Sequence, residues 1–261
     1  MPIYLYIDRG SVLHRMHPTV KVLALFVMFW SVYWVDNPVA LLPLGLLMLV
    51  VAQIAGAWPN FYRLRWLFVL VILVTTIAWM VFYRKGVPLV NLRIISLSRQ
   101  SLMFGLGRGL KLAELLATSV LFLSTTKVEE FTVGLASLGV PYRAGFAITM
   151  AFRLAPLFID SALTVAQAQS LRGYDFDKGG PLERVRRYVP VIIPVFMGAL
   201  RKADAMAMAL EARGFGREGR PTSFIEYPVA PRDIMFSVIL FLIGFAYFMI
   251  YKTGYGAIRP G

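Results

Sequence analysis

The chain has 261 residues, of which 58% are hydrophobic and only 16% charged. A soluble domain of this size carries nearer a quarter charged residues, so the composition excludes an ordinary soluble protein and points to an integral membrane protein. The formal net charge of +13 would suggest a nucleic-acid partner in a soluble protein. In a membrane protein it reads instead as Lys and Arg held on the cytoplasmic side against anionic lipid, with no nucleic acid involved. There is no cysteine, which rules out disulfides and thiolate metal ligands.

Residues 1–21 are mixed, with Arg9, His14, Arg15, His17 and Lys21 after a short apolar patch. A first span is expected from about Lys21 to Val35, and Asp36-Asn37-Pro38 is a turn signal. A second span runs from about Val39 to Ala55 and a third from about Trp66 to Phe82, separated by Gly56-Ala57-Trp58-Pro59-Asn60. Each is close to the ~20 residues that cross a bilayer, the first being short. Tryptophans near the ends of these runs suit the membrane interface. Residues 84–106 form a longer basic connection, with a short extended stretch expected at Leu89–Ile95. A fourth span, Gly107 to about Thr126, carries Arg108, Lys111 and Glu114 in its first turns. Lys111 and Glu114 stand three apart, at the spacing of helix neighbours that compensate each other.

From Lys127 to Pro231 the character changes, since this stretch holds 13 of the 27 Lys/Arg and 10 of the 14 Asp/Glu. It is too charged to span and too apolar to be disordered. Breaks at Gly139-Val140-Pro141, at 175–181 and at 214–221 leave one short helix near Val128–Leu138 and two long ones, near Tyr142–Leu171 and Leu182–Ala212. A fifth span follows, from about Asp233 to Tyr251. The expected organisation is therefore 1–126 for four membrane helices, 127–231 for a cytoplasmic region, and 232–261 for a last membrane helix and tail. Arg15, Lys21, Arg63 and Arg65 place the N-terminus and the second loop inside. Alternation then puts 127–231 inside and the basic 84–106 connection outside, against the positive-inside trend. Either that connection is re-entrant or the span count is off by one; five spans are kept because the charged region fits the cytoplasm.

The two long helices are amphipathic. Arg153, Asp160 and Gln167 recur every seven residues in the first, and Arg201, Asp204 and Glu211 form a similar stripe in the second. Ala162 with Ala166, and Ala203 with Ala207, have the four-residue small spacing that lets helix backbones approach, so the two helices are expected to cross there. Both end in Arg-Gly-aromatic: Leu171-Arg172-Gly173-Tyr174 and Ala212-Arg213-Gly214-Phe215. A single Arg-Gly at a helix end is a cap: glycine takes the left-handed turn and Arg suits the negative end of the dipole. The doubled motif goes further. A guanidinium at a helix tip is a rigid five-donor fork suited to carboxylates or carbonyls in a partner's groove.

Other chemistry is less well supported. No Gly-x-x-x-x-Gly-Lys-Ser/Thr loop occurs, and Gly105-Leu106-Gly107-Arg108-Gly109 lacks the lysine, so ATP hydrolysis by this chain is not expected. His14 and His17 lack nearby carboxylates and read as structural, and Glu129-Glu130 reads as a solvated helix face. Asp175-x-Asp177 keeps open an alternative function, a membrane-embedded enzyme acting on a lipid substrate.

At its two Arg-Gly ends and at His14-x-x-x-Pro18-x-x-Lys21, the sequence resembles the transmembrane T component of energy-coupling factor transporters, the vitamin and metal-ion importers of prokaryotes. The resemblance runs over essentially the whole chain. The second Ala-Arg-Gly motif is intact at Ala212-Arg213-Gly214, while the first has Leu171 in place of a small residue. The resemblance implies an all-α integral membrane protein of about five transmembrane helices, with a cytoplasmic domain of one short and two long crossed coupling helices. It implies a non-enzymatic scaffold in the prokaryotic cell membrane with no cofactor. Its partners would be two ABC-type ATPase subunits, docked at Arg172, Gly173, Ala212, Arg213 and Gly214, and a membrane-embedded substrate-binding S component. The Met-rich face at Met197, Met206 and Met208 would be an adaptable surface for the latter.

Overall fold

The computed structural model describes residues 6–82, 90–91, 96–97, 99–176, 178, 180–216 and 227–255. Arg84, Lys85 and Arg93 of the basic connection, Asp177, and most of the 214–221 break lie outside them. Ten helices and one two-stranded ribbon are present among these residues. The chain divides into two compact units: Met1–Pro141 with Tyr227–Gly261, and Tyr142–Glu226.

In the first unit, α1 (Pro18–Trp34) starts on Pro18, with the His17 Nδ1 accepting from the Thr19 N–H at 3.2 Å. Proline at the first helical position forfeits no hydrogen bond, and the His17 ring satisfies one of the orphan amides. α2 (Pro38–Ala55) repeats the device: Pro38 leads, Asn37 Oδ1 accepts from Val39 N–H at 3.0 Å, and Gly56 ends the helix in the left-handed region. A six-residue helix, α3 (Trp58–Arg63), occupies what the sequence suggested was only a break, and α4 (Arg65–Phe82) follows. Val90–Asn91 (β1), within the expected extended stretch, pairs antiparallel with Ser96–Leu97 (β2), which lies just beyond it.

The next helix, α5 (Arg99–Thr125), begins eight residues before the expected span and is the hub of the unit, packing on α1, α2 and α4. Its Gly105 and Gly109, four apart, face α4. A Cβ on Gly105 would stand 2.8 Å from the Thr76 carbonyl oxygen, and one on Gly109 would stand 3.0 Å from that of Ile72. The stretch that fails as a phosphate loop is a small-xxx-small helix contact. α6 (Val128–Ser137) packs on α1, with Gly134 against Pro18, so it belongs to this unit and not with the long helices it was grouped with from charge. α10 (Pro231–Lys252) also packs on α1. Val32, Val35, Leu41, Leu44, Met48 and Tyr247 form the core where α1, α2 and α10 meet.

By length and composition α2, α4, Tyr142–Leu171 and α10 qualify to cross a membrane, and α1 is apolar but shorter. α5 does not qualify, because Arg108, Lys111 and Glu114 fall inside it. Two of those charges are shielded by protein. Lys111 and Glu114 are both buried, and Lys111 bonds Asp36 Oδ1 at 2.9 Å and the Tyr33 carbonyl. Arg108 reaches Asp36 Oδ2 at 3.2 Å. Lys111 thus pairs with the α1–α2 turn and not with Glu114, correcting the expectation from spacing.

The second unit holds α7 (Tyr142–Leu171), α8 (Pro181–Arg187) and α9 (Val189–Ala212). The expected helix at 182–212 is two pieces, broken at Tyr188 just before Pro190.

Candidate functional site

The long helices α7 and α9 pack on each other. The Phe215 ring, just past α9, lies 4.5 Å from that of Phe146 at the start of α7. At the other end, Tyr174 just past α7 contacts Phe176, which stacks on Tyr188 at the start of α9, each 5.2 Å apart. The helices therefore run antiparallel, each trailing aromatic turned toward the other helix's beginning.

The two ends have the same backbone. After α7, Gly173 N–H bonds the Ser170 carbonyl at 2.9 Å and Tyr174 N–H bonds that of Gln169 at 3.1 Å. After α9, Gly214 N–H bonds the Glu211 carbonyl and Phe215 N–H bonds that of Leu210, both at 2.9 Å. Each is a complete Schellman cap, with glycine at φ +84° and +76° where a side chain would be strained. Arg172 and Arg213 occupy the equivalent cap position. Both are exposed, and neither has an ion-pair or hydrogen-bond partner among the described residues. The 24 residues of α9 separate the two tips by about 36 Å at ~1.5 Å per residue.

The tips differ in dressing. Leu171 is 90% exposed beside Arg172, an apolar side chain left wholly to solvent, while Ala212 beside Arg213 is small. Of the alanines expected at a crossing, Ala162 and Ala166 are half-buried on α7, but Ala203 and Ala207 are exposed. The covered side of α9 is instead Val191, Val195, Ala199, Met206 and Leu210. Alanine spacing alone does not tell which face of an alanine-rich helix is covered. The polar stripes Arg153, Asp160, Gln167 and Arg201, Asp204, Glu211 are exposed.

Sequence reasoning missed a second polar site. Lys21, 6% exposed, donates to the His14 carbonyl at 2.8 Å, the Thr125 carbonyl at 3.2 Å and Glu130 Oε2 at 2.6 Å. One ammonium ties α1 to the open carbonyl end of α5 and to α6, where a cation also suits the helix dipole. Glu130 is thus half of a buried pair and not a solvated face. Asp233, 1% exposed, accepts from the backbone N–H of Ala230 at 2.8 Å and of His17 at 3.2 Å, capping α10 and holding it to α1. His14 hydrogen-bonds Ser11 and the Ile7 carbonyl, each at 2.7 Å. The His14-x-x-x-Pro18-x-x-Lys21 motif is thereby a tie among α1, α5 and α6. Nearby, burial raises the Tyr6 phenol above its ordinary range, opposed by the Lys127 ammonium over its ring.

No group of three or more His, Asp or Glu able to hold a metal occurs among the described residues. Asp175 forms an exposed pair with Lys178 at 3.6 Å, and its carbonyl accepts from Arg187 at 3.0 Å.

Comparison with known proteins agrees with the architecture. Residues 9–223 match the family model CbiQ, described as cobalt transport protein. An energy-coupling factor transporter transmembrane protein EcfT of Streptococcus equi is 27% identical, over 94% of this chain and 94% of its own. The EcfT of Streptococcus thermophilus is 28% identical, over 94% of this chain and 96% of its own. A putative ABC transporter ATP-binding protein of Bifidobacterium longum is 28% identical over 89% of this chain, but over only 31% of its own length. With the match covering most of its length, the chain belongs to the CbiQ family of cobalt transport proteins.

Proposed function

We propose that this chain is the energy-coupling transmembrane scaffold of an ECF-type importer, linking ATP hydrolysis in two cassette ATPases to movement of a membrane-embedded S component that binds a vitamin or metal ion. The observation that carries this reading is the pair of identically capped tips, each presenting an exposed arginine without a partner among the described residues, at opposite ends of one antiparallel helix pair. The relatives named as EcfT support the scaffold role. The Bifidobacterium protein supports an ATPase partner, since a stretch resembling nearly all of this chain occupies under a third of a protein named for ATP binding. In this reading the unit 142–226 lies in the cytoplasm, although α7 is long and apolar enough to cross a membrane, because Arg153, Asp160 and Gln167 run as a polar stripe along it; Arg172 and Arg213 each enter a groove on one ATPase, and the first unit stays in the bilayer. The chain itself is no enzyme and the ATPases hydrolyse ATP. Exposed Met197 and Met208 offer the S component an adaptable surface. The lipid-substrate enzyme reading is not favoured: the family is a transport one, Asp175 sits in an exposed ion pair, and Asp177 lies outside the described residues.

The test is uptake in proteoliposomes containing the chain, both ATPases and an S component. A charge-assisted hydrogen bond contributes about 1.5–3 kcal/mol, roughly 10- to 150-fold in affinity per tip. Arg172→Gln with Arg213→Gln is expected to abolish ATP-driven uptake while the protein still reaches the membrane. Undiminished uptake by the double variant would overturn the coupling role.

A further inference from the structure

The short helix α8 carries Arg184, Arg186 and Arg187 in its last turn. Tyr188, between α8 and α9, keeps right-handed helical dihedrals (φ −81°, ψ −10°), so the helical phase runs on from one to the other. At about 100° per residue, Val185, Tyr188, Val189, Ile192, Ile193 and Phe196 fall on one stripe roughly 140° wide. All six are exposed, Val185 at 69%. On the same count Arg184 borders one edge of the stripe and Arg186 the other. Both are exposed and without an ion-pair or hydrogen-bond partner among the described residues, whereas Arg187 is engaged with the Asp175 carbonyl. Val191 and Val195 lie beside the stripe on its Arg184 side and are covered. Met197 and Met208 lie off the stripe, beyond its Arg186 edge.

We infer that this segment is an interfacial helix: the α8–α9 stripe lies on the membrane surface, with Arg184 and Arg186 on the phosphates of anionic lipid. An exposed β-branched and aromatic stripe edged by two arginines without a partner among the described residues has the construction of helices that lie in the headgroup layer. The long arginine stems pack beside apolar neighbours while the guanidinium forks reach phosphate. Charge complementarity selects the occupant. The chain exceeds its acidic residues by 13 cations, and it belongs to a family of membrane transport proteins, so an anionic leaflet is within its reach. This contact is separate from the arginine tips and needs no ATP. It would hold the Arg172 end of the helix pair against the bilayer.

The absence of cysteine makes the test direct. Full-length Val185→Cys, labelled with an environment-sensitive fluorophore, is placed in nanodiscs of phosphatidylcholine alone or of equal parts phosphatidylcholine and phosphatidylglycerol. Asp160→Cys, on the exposed polar stripe of α7, is the control. The expected result is a blue-shifted emission at position 185, quenched by doxyl-labelled lipid, in the anionic discs. Added salt, or Arg184→Gln with Arg186→Gln, reverses it, with the docked-to-free ratio falling about 25-fold at about fivefold per arginine. The control stays solvent-like throughout. An emission at 185 that is equally solvent-like in both discs, or one that shifts only when ATP-binding subunits are added, overturns the inference and assigns the stripe to solvent or to a protein partner. Neither result bears on the uptake assay, which fails or succeeds on the tips alone.

Discussion

Replacing Lys21 by Met is the most demanding test of the membrane unit. Methionine keeps the length and apolar stem of the side chain, so the change removes little packing. It removes the ammonium and its three acceptors, the His14 and Thr125 carbonyls and Glu130 Oε2. The Glu130 side chain is only 14% exposed and that of Lys21 5%, so the orphaned carboxylate has little access to water. Breaking a buried pair from one side costs about 3–5 kcal/mol, because the remaining charge is uncompensated. At roughly 2–4 °C per kcal/mol for a chain of this size, the thermal midpoint of the full chain in detergent should fall by about 10 °C. The companion variant separates charge from geometry. Lys21→Met with Glu130→Gln removes the stranded charge, so it should recover part of the loss, giving a coupling of about 1–3 kcal/mol in the double-mutant cycle. A Lys21→Met midpoint within about 2 °C of the parent, or double-variant losses that simply add, would refute the reasoning.

Three further outcomes are expected. Gly105→Val forces a side chain into the Thr76 carbonyl and should destabilise by about 1–3 kcal/mol, whereas Gly198→Ala on α9, where a Cβ meets nothing within 4 Å, should be neutral or slightly stabilising; thermal unfolding of both compares them. Asp36→Asn leaves both Arg108 and Lys111 without their carboxylate, so it should lower the midpoint more than Arg108→Gln, which leaves the Lys111 pair intact. Gly173→Ala and Gly214→Ala put a Cβ at positive φ and should each cost about 1 kcal/mol locally, read as faster amide exchange over the last turns of α7 and α9 with little change elsewhere.

Much of this was legible in the sequence because it is written locally. Span positions follow from apolar runs closed by Asn37-Pro38 and Gly56, and the bounds of α7 match the expected Tyr142–Leu171. The two Arg-Gly caps were readable for the same reason: a Schellman cap is made within six residues. What was not legible depends on partners far along the chain. Lys21 finds Thr125 and Glu130 only after folding, so Glu130 read as a surface acid and α6 as part of the charged region. Lys111 finds Asp36 across 75 residues, which overrides the helical neighbour Glu114. Gly105 and Gly109 carry no information about what approaches them until α4 is in place. In α9 the alanines blur the apolar and solvent faces, and the covered side was recognisable only once α7 was packed against it.

The matching caps have a geometric consequence. An antiparallel helix pair whose ends are equivalent has a local two-fold axis, perpendicular to both helices and passing between them. The axis takes Arg172 near Arg213, Gly173 near Gly214, and Tyr174 near Phe215, although nothing in a single polypeptide requires symmetry. A dimeric motor with its own two-fold axis could therefore be met head-on by one asymmetric chain, each half gripping a tip of the same shape. The symmetry is local: α7 and α9 differ in length, the trailing aromatic is Tyr174 on one and Phe215 on the other, and the residue before each arginine differs most in bulk and exposure. If two ATPases dock there as proposed, Leu171 on one tip and Ala212 on the other would make the two contacts unequal even for identical motor subunits.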